Sequence, residues 1–229
     1  METPTSQPQA ATYAIGDLHG EVTLLQRLLT SLPLGADDTL VFLGDYVDRG
    51  EDSLATIDAL QALAAQQRCI FLRGNHDAAW LEVWDGARFT ERPHILGARQ
   101  VWERCGGHLP AGAGHWLAST RLDYEDGHAY YVHAGTTPGR PFWETPVDVK
   151  LWGDRGFLAS GHDWGKLIVC GHYEVEAPVV RQSVICVDTA AYRSGVLTAV
   201  RVQDRQLFQV RRVDLAVHAV SSGAQEQAG

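Results

Sequence analysis

Residues 40–50 read LVFLGDYVDRG, and the reading of this stretch decides the fold. From Thr39 to Leu43 every side chain is apolar or β-branched, the pattern of a strand buried on both faces. The run stops at Gly44, and Asp45, Asp48 and Arg49 then crowd into a loop closed by Gly50. A Gly-Asp pair after a strand is commonly a plain turn, so the stretch gains its meaning from its neighbours.

The same construction recurs along the chain. A short apolar run, Thr12 to Ile15, ends in Gly16-Asp17-Leu18-His19-Gly20, and Cys69 to Leu72 ends in Arg73-Gly74-Asn75-His76-Asp77. Ala129 to Val132 leads into His133-Ala134-Gly135, and Leu167 to Cys170 into Gly171-His172. Open α/β sheets bind ligands outside the carboxyl ends of their strands, which is where all five clusters fall.

Between the early clusters, Val22, Leu25, Leu28, Leu29 and Leu32 recur at helical spacing, as do Leu54, Ile57, Leu60 and Ala64, where Asp52 or Ser53 can cap. This βαβαβ order predicts a parallel sheet, with a third helix over Ala78–Trp84. The second half is richer in short β-prone runs, ending in a hairpin turned at Gln203-Asp204-Arg205. Two sheets face to face, with helices outside each, give an α/β fold: a four-layer α/β/β/α sandwich built as one domain over 11–220. The tryptophan- and glycine-dotted segment 85–119 is expected to be an irregular insertion walling the cleft. Residues 1–10 and 221–229 read as loose tails.

Composition narrows the partners. A formal charge of −9 argues against a nucleic acid held on a broad basic face. No run approaches the ~18 apolar residues of a membrane span, and Met1–Ala10 lacks the basic flank and apolar core of a secretion signal, so no membrane partner and a cytoplasmic location are expected. Cys69, Cys105, Cys170 and Cys186 form no CxxC pair and read as buried structural thiols. Nothing in the sequence assigns an oligomeric state.

Carboxylate, amide oxygen and imidazole without thiolate suit Mn, Fe, Zn or Mg. Asp17, His19, Asp45, Asn75, His133 and His172 supply six such groups, too many for one tetrahedral site with an open position. They suit two adjacent divalent ions sharing one carboxylate, with Asp45 on the central tip as the bridge. Paired ions ~3.5–4 Å apart clamp the attacking and leaving oxygens of an in-line displacement, which is a phosphoesterase's device. Arg49 and Arg73, beside these groups, are planar forks suited to phosphate oxygens. His76 is left over, free to act as a general acid with Asp48 orienting it, or else to serve as a further ligand or hydrogen-bonder.

GDLHG at 16–20, GDYVDRG at 44–50, RGNHD at 73–77, HAG at 133–135 and GH at 171–172 together resemble the ordered motif set of the PPP serine/threonine protein phosphatases, within the calcineurin-like metallophosphoesterases. WERCGG at 102–107 and LDYEDGHAYYVHAGTTPG at 122–139 are similar to its bacterial and phage branch. The resemblance implies that Asp17, His19 and Asp45 hold one metal and Asp45, Asn75, His133 and His172 the other, with manganese the usual activator. It implies direct attack on phosphorus by a metal-bridging hydroxide, Arg49 and Arg73 gripping the phosphoryl group, and His76 with Asp48 protonating the departing oxygen. A phosphorylated protein is the substrate it implies. Asp77 stands where the protein phosphatases commonly carry Glu, and GNHD is also the form of related dinucleoside tetraphosphatases. Hydrolysis of a dinucleoside tetraphosphate or another small phosphoester is therefore the alternative. In WGDRG at 152–156, the arginine that this branch places two after the tryptophan is displaced to Arg155, a candidate third phosphate contact. Tyr173-Glu174 replaces a usual Thr-Pro and makes the expected cleft rim more acidic.

Overall fold

A computed structural model describes residues 10–154 and 156–212. The first apolar runs become β1 (Thr12–Ile15), β2 (Thr39–Phe42) and β3 (Arg68–Phe71), which pair in parallel with β1 beside β2 and β2 beside β3. The terminal hairpin, β9 (Val196–Arg201) and β10 (Gln206–Arg211), adds to the other edge of β1 in the antiparallel sense. The second sheet has the same plan: β5 (Ala129–Val132), β6 (Leu167–Cys170) and β8 (Val184–Cys186) run parallel, flanked by antiparallel β4 (Asp123–Glu125) and β7 (Val179–Val180).

Side-chain alternation explains the layering. On β1 and β2, Tyr13, Ile15, Leu40 and Phe42 point to the helical side and pack with Leu24, Leu25 and Leu28 of α1 (Val22–Ser31) and with Ile57 and Leu60 of α2 (Ser53–Ala64). The intervening Ala14, Val41 and Leu43 meet Tyr131, Val169 and Ile185 of the second sheet in a shared core. Strands buried on both faces carry no polar alternation, which is why the runs were continuous. Asp52 settles the cap of α2, its carboxylate accepting from the N–H groups of Leu54 and Ala55 at 2.9 Å each.

Two elements differ from expectation. The third helix, α3 (Asn75–Glu82), begins three residues earlier than Ala78, because the Asp77 carboxylate reaches back to the Gly74 N–H at 2.8 Å and completes its first turn. The segment 85–119 holds two helices, α4 (Ala98–Arg104) and α5 (Ala111–Ala118), whose Val101, Ala113 and Leu117 join the core beside α3. The outer face of the second sheet is covered by a 3-10 helix (Phe142–Glu144) and by loop aromatics, with Phe142, Phe157 and Trp164 packed on Tyr130, Ile168 and Val184, while α6 (Val147–Trp152) lies against α3. A last helix, α7 (Ala191–Ser194), precedes β9. The sequence's two-sheet α/β architecture is present, its fourth layer thin.

Among the described residues no helix is long and apolar enough to cross a membrane. The four cysteines are free thiols, Cys170 and Cys186 fully buried and Cys69 and Cys105 half-buried. The segments read as tails lie outside the described residues, apart from Ala10.

Candidate active site

Each of the six parallel strands, three from either sheet, delivers a polar residue from its carboxyl end. Asp17 and His19 follow β1, Asp45 follows β2, Asn75 and His76 follow β3, His133 follows β5, His172 follows β6, and Asp188 follows β8. Seven of these, with Arg49, Ile95, Leu96, Trp152 and Glu174, line one pocket of about 260 Å3. His133 is fully buried. Two glycines let the carboxylates come this close to neighbouring loops: a Cβ on Gly74 would lie 2.0 Å from Asp45 Oδ1, and one on Gly171 2.1 Å from Asp17 Oδ1.

The backbone is bent to the same end. Five of the seven non-glycine residues with positive φ among the described residues are His19 (43°), Asp45 (52°), Asp48 (71°), Arg49 (67°) and His172 (63°). Such conformations persist only where surroundings over-determine them, and they concentrate at functional sites. Here the surroundings are inter-loop hydrogen bonds: the Asp45 carbonyl accepts from the N–H of His19 at 2.7 Å and of Leu18 at 3.1 Å, and the Tyr46 carbonyl from Gly20 at 2.9 Å.

The donor set fits a pair of divalent ions. His19 Nδ1 lies 2.8 Å from the Val47 carbonyl and His133 Nδ1 2.8 Å from that of Leu43, so in the neutral tautomer each ring donates there and turns its basic Nε2 inward. Burial holds the imidazoles neutral, pushing His19 down to about 3 and His172 to about 4, and lowering His133. Two groups of three residues bring their ligand atoms within 4.8 Å of one another, His19 with Asp45 and His76, and Asp17 with Asp45 and His133. Asp45 belongs to both. His133 Nε2 and His172 Nδ1 each stand 3.0 Å from Asn75 Oδ1. Burial also pushes Asp17 well up, reinforced by the charges of Asp188 and Asp45, and raises Asp188 to about 7. At Asp45 burial acts upward too, but His133, His19 and His76 together outweigh it and hold the carboxyl below its ordinary range. Carboxylates crowded at this depth need cationic charge beyond the single guanidinium of Arg49.

His76, although its ring lies close to His19 and Asp45, is fixed by a carboxylate of its own. Its Nδ1 is 2.7 Å from Asp48 Oδ2, and Asp48 Oδ1 accepts the Trp80 indole N–H at 3.1 Å, so a fully buried carboxylate fixes the ring. Arg49 spreads across the pocket, Nη1 3.0 Å from His19 Nε2 and Nη2 3.0 Å from His76 Nε2, with Nη1 also donating to Glu174 at 2.9 Å.

The structure does not bring Arg73 into this pocket. Its guanidinium donates to the carbonyls of Leu117, Ala118 and Thr120 at 3.4, 3.2 and 2.9 Å, and its Nε to Thr120 Oγ1 at 3.1 Å. These are the orphan acceptors at and just beyond the end of α5, a position that attracts a cation. Arg155 lies outside the described residues.

Asp188 and Trp152 were missed, although Asp188 obeys the rule that found the others, ending the apolar run Val184–Val187, while Glu174 lines the pocket as the acidic rim residue expected. Asp77 has a structural part that its motif conceals. Fully buried, it accepts from the backbone N–H groups of Asp45 (2.8 Å), Gly74 (2.8 Å) and Tyr46 (3.0 Å), tying the second loop to the third. Burial, then the Asp45 charge, raises it to about 7 against the pull of those donors. Asp77→Ala strands all three N–H groups whichever form the carboxyl takes, and is expected to cost about 3 kcal/mol or more, a drop of roughly 6–12 °C in Tm. Thermal unfolding by circular dichroism measures this; an unchanged midpoint would remove Asp77 from the framework.

A family model described as calcineurin-like phosphoesterase matches residues 11–219. A symmetrical bis(5'-nucleosyl)-tetraphosphatase of Dechloromonas aromatica (strain RCB) is 26% identical over 272 aligned positions, covering 87% of this chain and 95% of that relative. Proteins of the same name from Ralstonia nicotianae (39% over 142 residues, 62% of this chain) and Janthinobacterium sp. (strain Marseille) (34% over 161 residues, 67% of this chain) align over 46% and 53% of their own lengths. In those two alignments the chain spans about half the relative. A solved structure assigned as a diadenosine tetraphosphatase shares the fold at a TM-score of 0.73 with 19% identity, covering 91% of this chain and 96% of that one. A cold-active protein-tyrosine phosphatase of a psychrophilic Shewanella does so at 0.61 with 17% identity, covering 88% and 80%. These relatives correct the branch implied by the motifs: they carry the name of the alternative, not that of a PPP protein phosphatase.

Proposed function

Because the chain belongs to the calcineurin-like phosphoesterases, hydrolases of phosphoesters, we propose that this member cleaves dinucleoside tetraphosphates, in place of the phosphoprotein that the motifs had favoured. The observation that carries this reading is the match along 87% of the chain to a protein named for that activity. Asp77 agrees with it, since the shorter side chain fits the three-donor cradle where the protein phosphatases have Glu.

The residues divide the work. Asp17, His19, Asp45, Asn75, His133 and His172 would hold two divalent ions, manganese being the first to try, and such a pair supplies Lewis acidity and an activated water. Arg49, the one guanidinium lining the pocket among the described residues, meets the phosphoryl oxygens. His76, its ring set by Asp48, delivers a proton to the oxygen that leaves as the P–O bond breaks. A central cut of a tetraphosphate by water yields two nucleoside diphosphates: one carries the attacked phosphorus and the water's oxygen, and the other departs as a good leaving group.

With manganese supplied, diadenosine tetraphosphate is expected to be cleaved with kcat/KM on the order of 10²-fold above a phosphoserine peptide, the discrimination that ~2.7 kcal/mol of transition-state binding provides. Product analysis by ion-exchange chromatography and phosphate release on the peptide make the comparison. A peptide preference would return the chain to the protein phosphatases.

A further inference from the structure

The floor of the pocket is carboxylate, amide and imidazole, but its mouth carries apolar surface that the core does not use. Six large hydrophobic side chains are exposed among the described residues, and two of them, Leu96 at 78% and Trp152 at 54%, line this pocket. Neither belongs to any of the three apolar clusters, although Ile95, next to Leu96, packs into one. Exposed apolar groups at a polar cleft mark contact with something apolar that arrives with the ligand.

Trp152 is the better placed of the two. It ends α6, and its ring neighbours that of His172, a member of the proposed metal-ligand set. Its indole stands edge-on to that imidazole, ring centroids 6.4 Å apart at 86°, and no ring among the described residues stacks on its faces. Leu96 precedes Gly97, which lies against the backbone of Arg49. A phosphoryl group held at the floor therefore has an aromatic plane beside it on the His172 side. Glu174 at the rim and the buried Asp188 offer a polyphosphate no attraction, which leaves stacking as a source of affinity for the rest of the substrate.

We propose that the Trp152 indole is the stacking platform for a nucleobase, which makes the site selective for nucleoside-bearing polyphosphates over inorganic ones. The proposal rests on the dinucleoside reading above and names the group that reads the nucleoside. Base–aromatic stacking typically contributes a factor of roughly 5 to 150 in affinity.

The test compares ADP and pyrophosphate as competitive inhibitors of p-nitrophenyl phosphate hydrolysis by the manganese-loaded enzyme, in wild type, Trp152→Ala, Trp152→Leu and Trp152→Phe. Metal content per chain is measured for each. The expected result is that ADP binds wild type more tightly than pyrophosphate does. Trp152→Ala and Trp152→Leu raise the ADP inhibition constant within that range, Trp152→Phe restores most of it, and pyrophosphate stays within about twofold throughout. Parallel losses for both inhibitors, loss of metal, or no change for ADP would each overturn the proposal. Cleavage of diadenosine tetraphosphate by wild type is scored separately: no cleavage together with a Trp152-dependent ADP preference would sink the tetraphosphate substrate and leave the nucleobase site standing.

Discussion

Asp45→Asn is expected to abolish binding at both metal positions at once and to lower kcat/KM on the preferred substrate by on the order of 10⁴-fold or more, ~5 kcal/mol of transition-state stabilisation. The reason is geometric. Asp45 is the residue common to both candidate ligand groups, so its charge is the one that neither position can replace. Asparagine keeps the shape and the oxygen that accepts the His76 N–H at 2.9 Å, so the loop stays folded while the charge goes. His19→Ala, which removes a member of one group only, should leave about half of the bound metal. Elemental analysis per chain, with circular dichroism to confirm the fold, decides the matter. Two ions retained in Asp45→Asn would end the shared-carboxylate account.

His76→Asn has the next largest expected effect, and it should depend on the leaving group. General-acid assistance contributes typically ~10²–10⁴-fold where the departing oxygen is a poor leaving group, as in an alkyl phosphate. A nucleoside diphosphate or a nitrophenolate needs much less of that help, so the loss on diadenosine tetraphosphate or p-nitrophenyl phosphate should be distinctly smaller. Asp48→Asn should show the same selectivity in weaker form, because Asp48 reaches the substrate only through the imidazole it holds at 2.7 Å. The measurement is kcat on alkyl, aryl and anhydride substrates with metal content checked. Equal losses across the three would make His76 a ligand or a positioning group.

Much of this site was legible because the rule that exposes it is local: an apolar strand stops, and a polar residue follows. Asp17, His19, Asp45, Asn75, His133 and His172 were found that way, and the helices after β1 and β2 followed from spacing. What escaped depended on contacts distant in sequence. Arg73 reads like a phosphate ligand from its neighbours, yet α5, some forty residues on, presents carbonyls that capture it. The three-residue error at the start of α3 came from weighing Ala78–Trp84 for apolar content, when the Asp77 side chain sets the first turn. Glu174 joins Arg49, Tyr192 and Arg193 at 2.9, 2.9 and 2.7 Å, a network assembled from separate segments that no periodicity announces.

The left-handed residues around the site set the enzyme against its own thermal resistance. Each non-glycine side chain in that conformation costs roughly 1–2 kcal/mol through crowding of its Cβ, and glycine would relieve this for about 0.4–1 kcal/mol of added chain entropy in the unfolded state. At His19, Asp45, Asp48, Arg49 and His172, however, the side chain is one that the proposed chemistry uses. A laboratory selection for heat tolerance alone would thus drift toward glycine at these five positions and yield a sturdier, inert protein. On the proposed mechanism, the bends themselves record that catalysis, and not folding, has chosen the amino acids there.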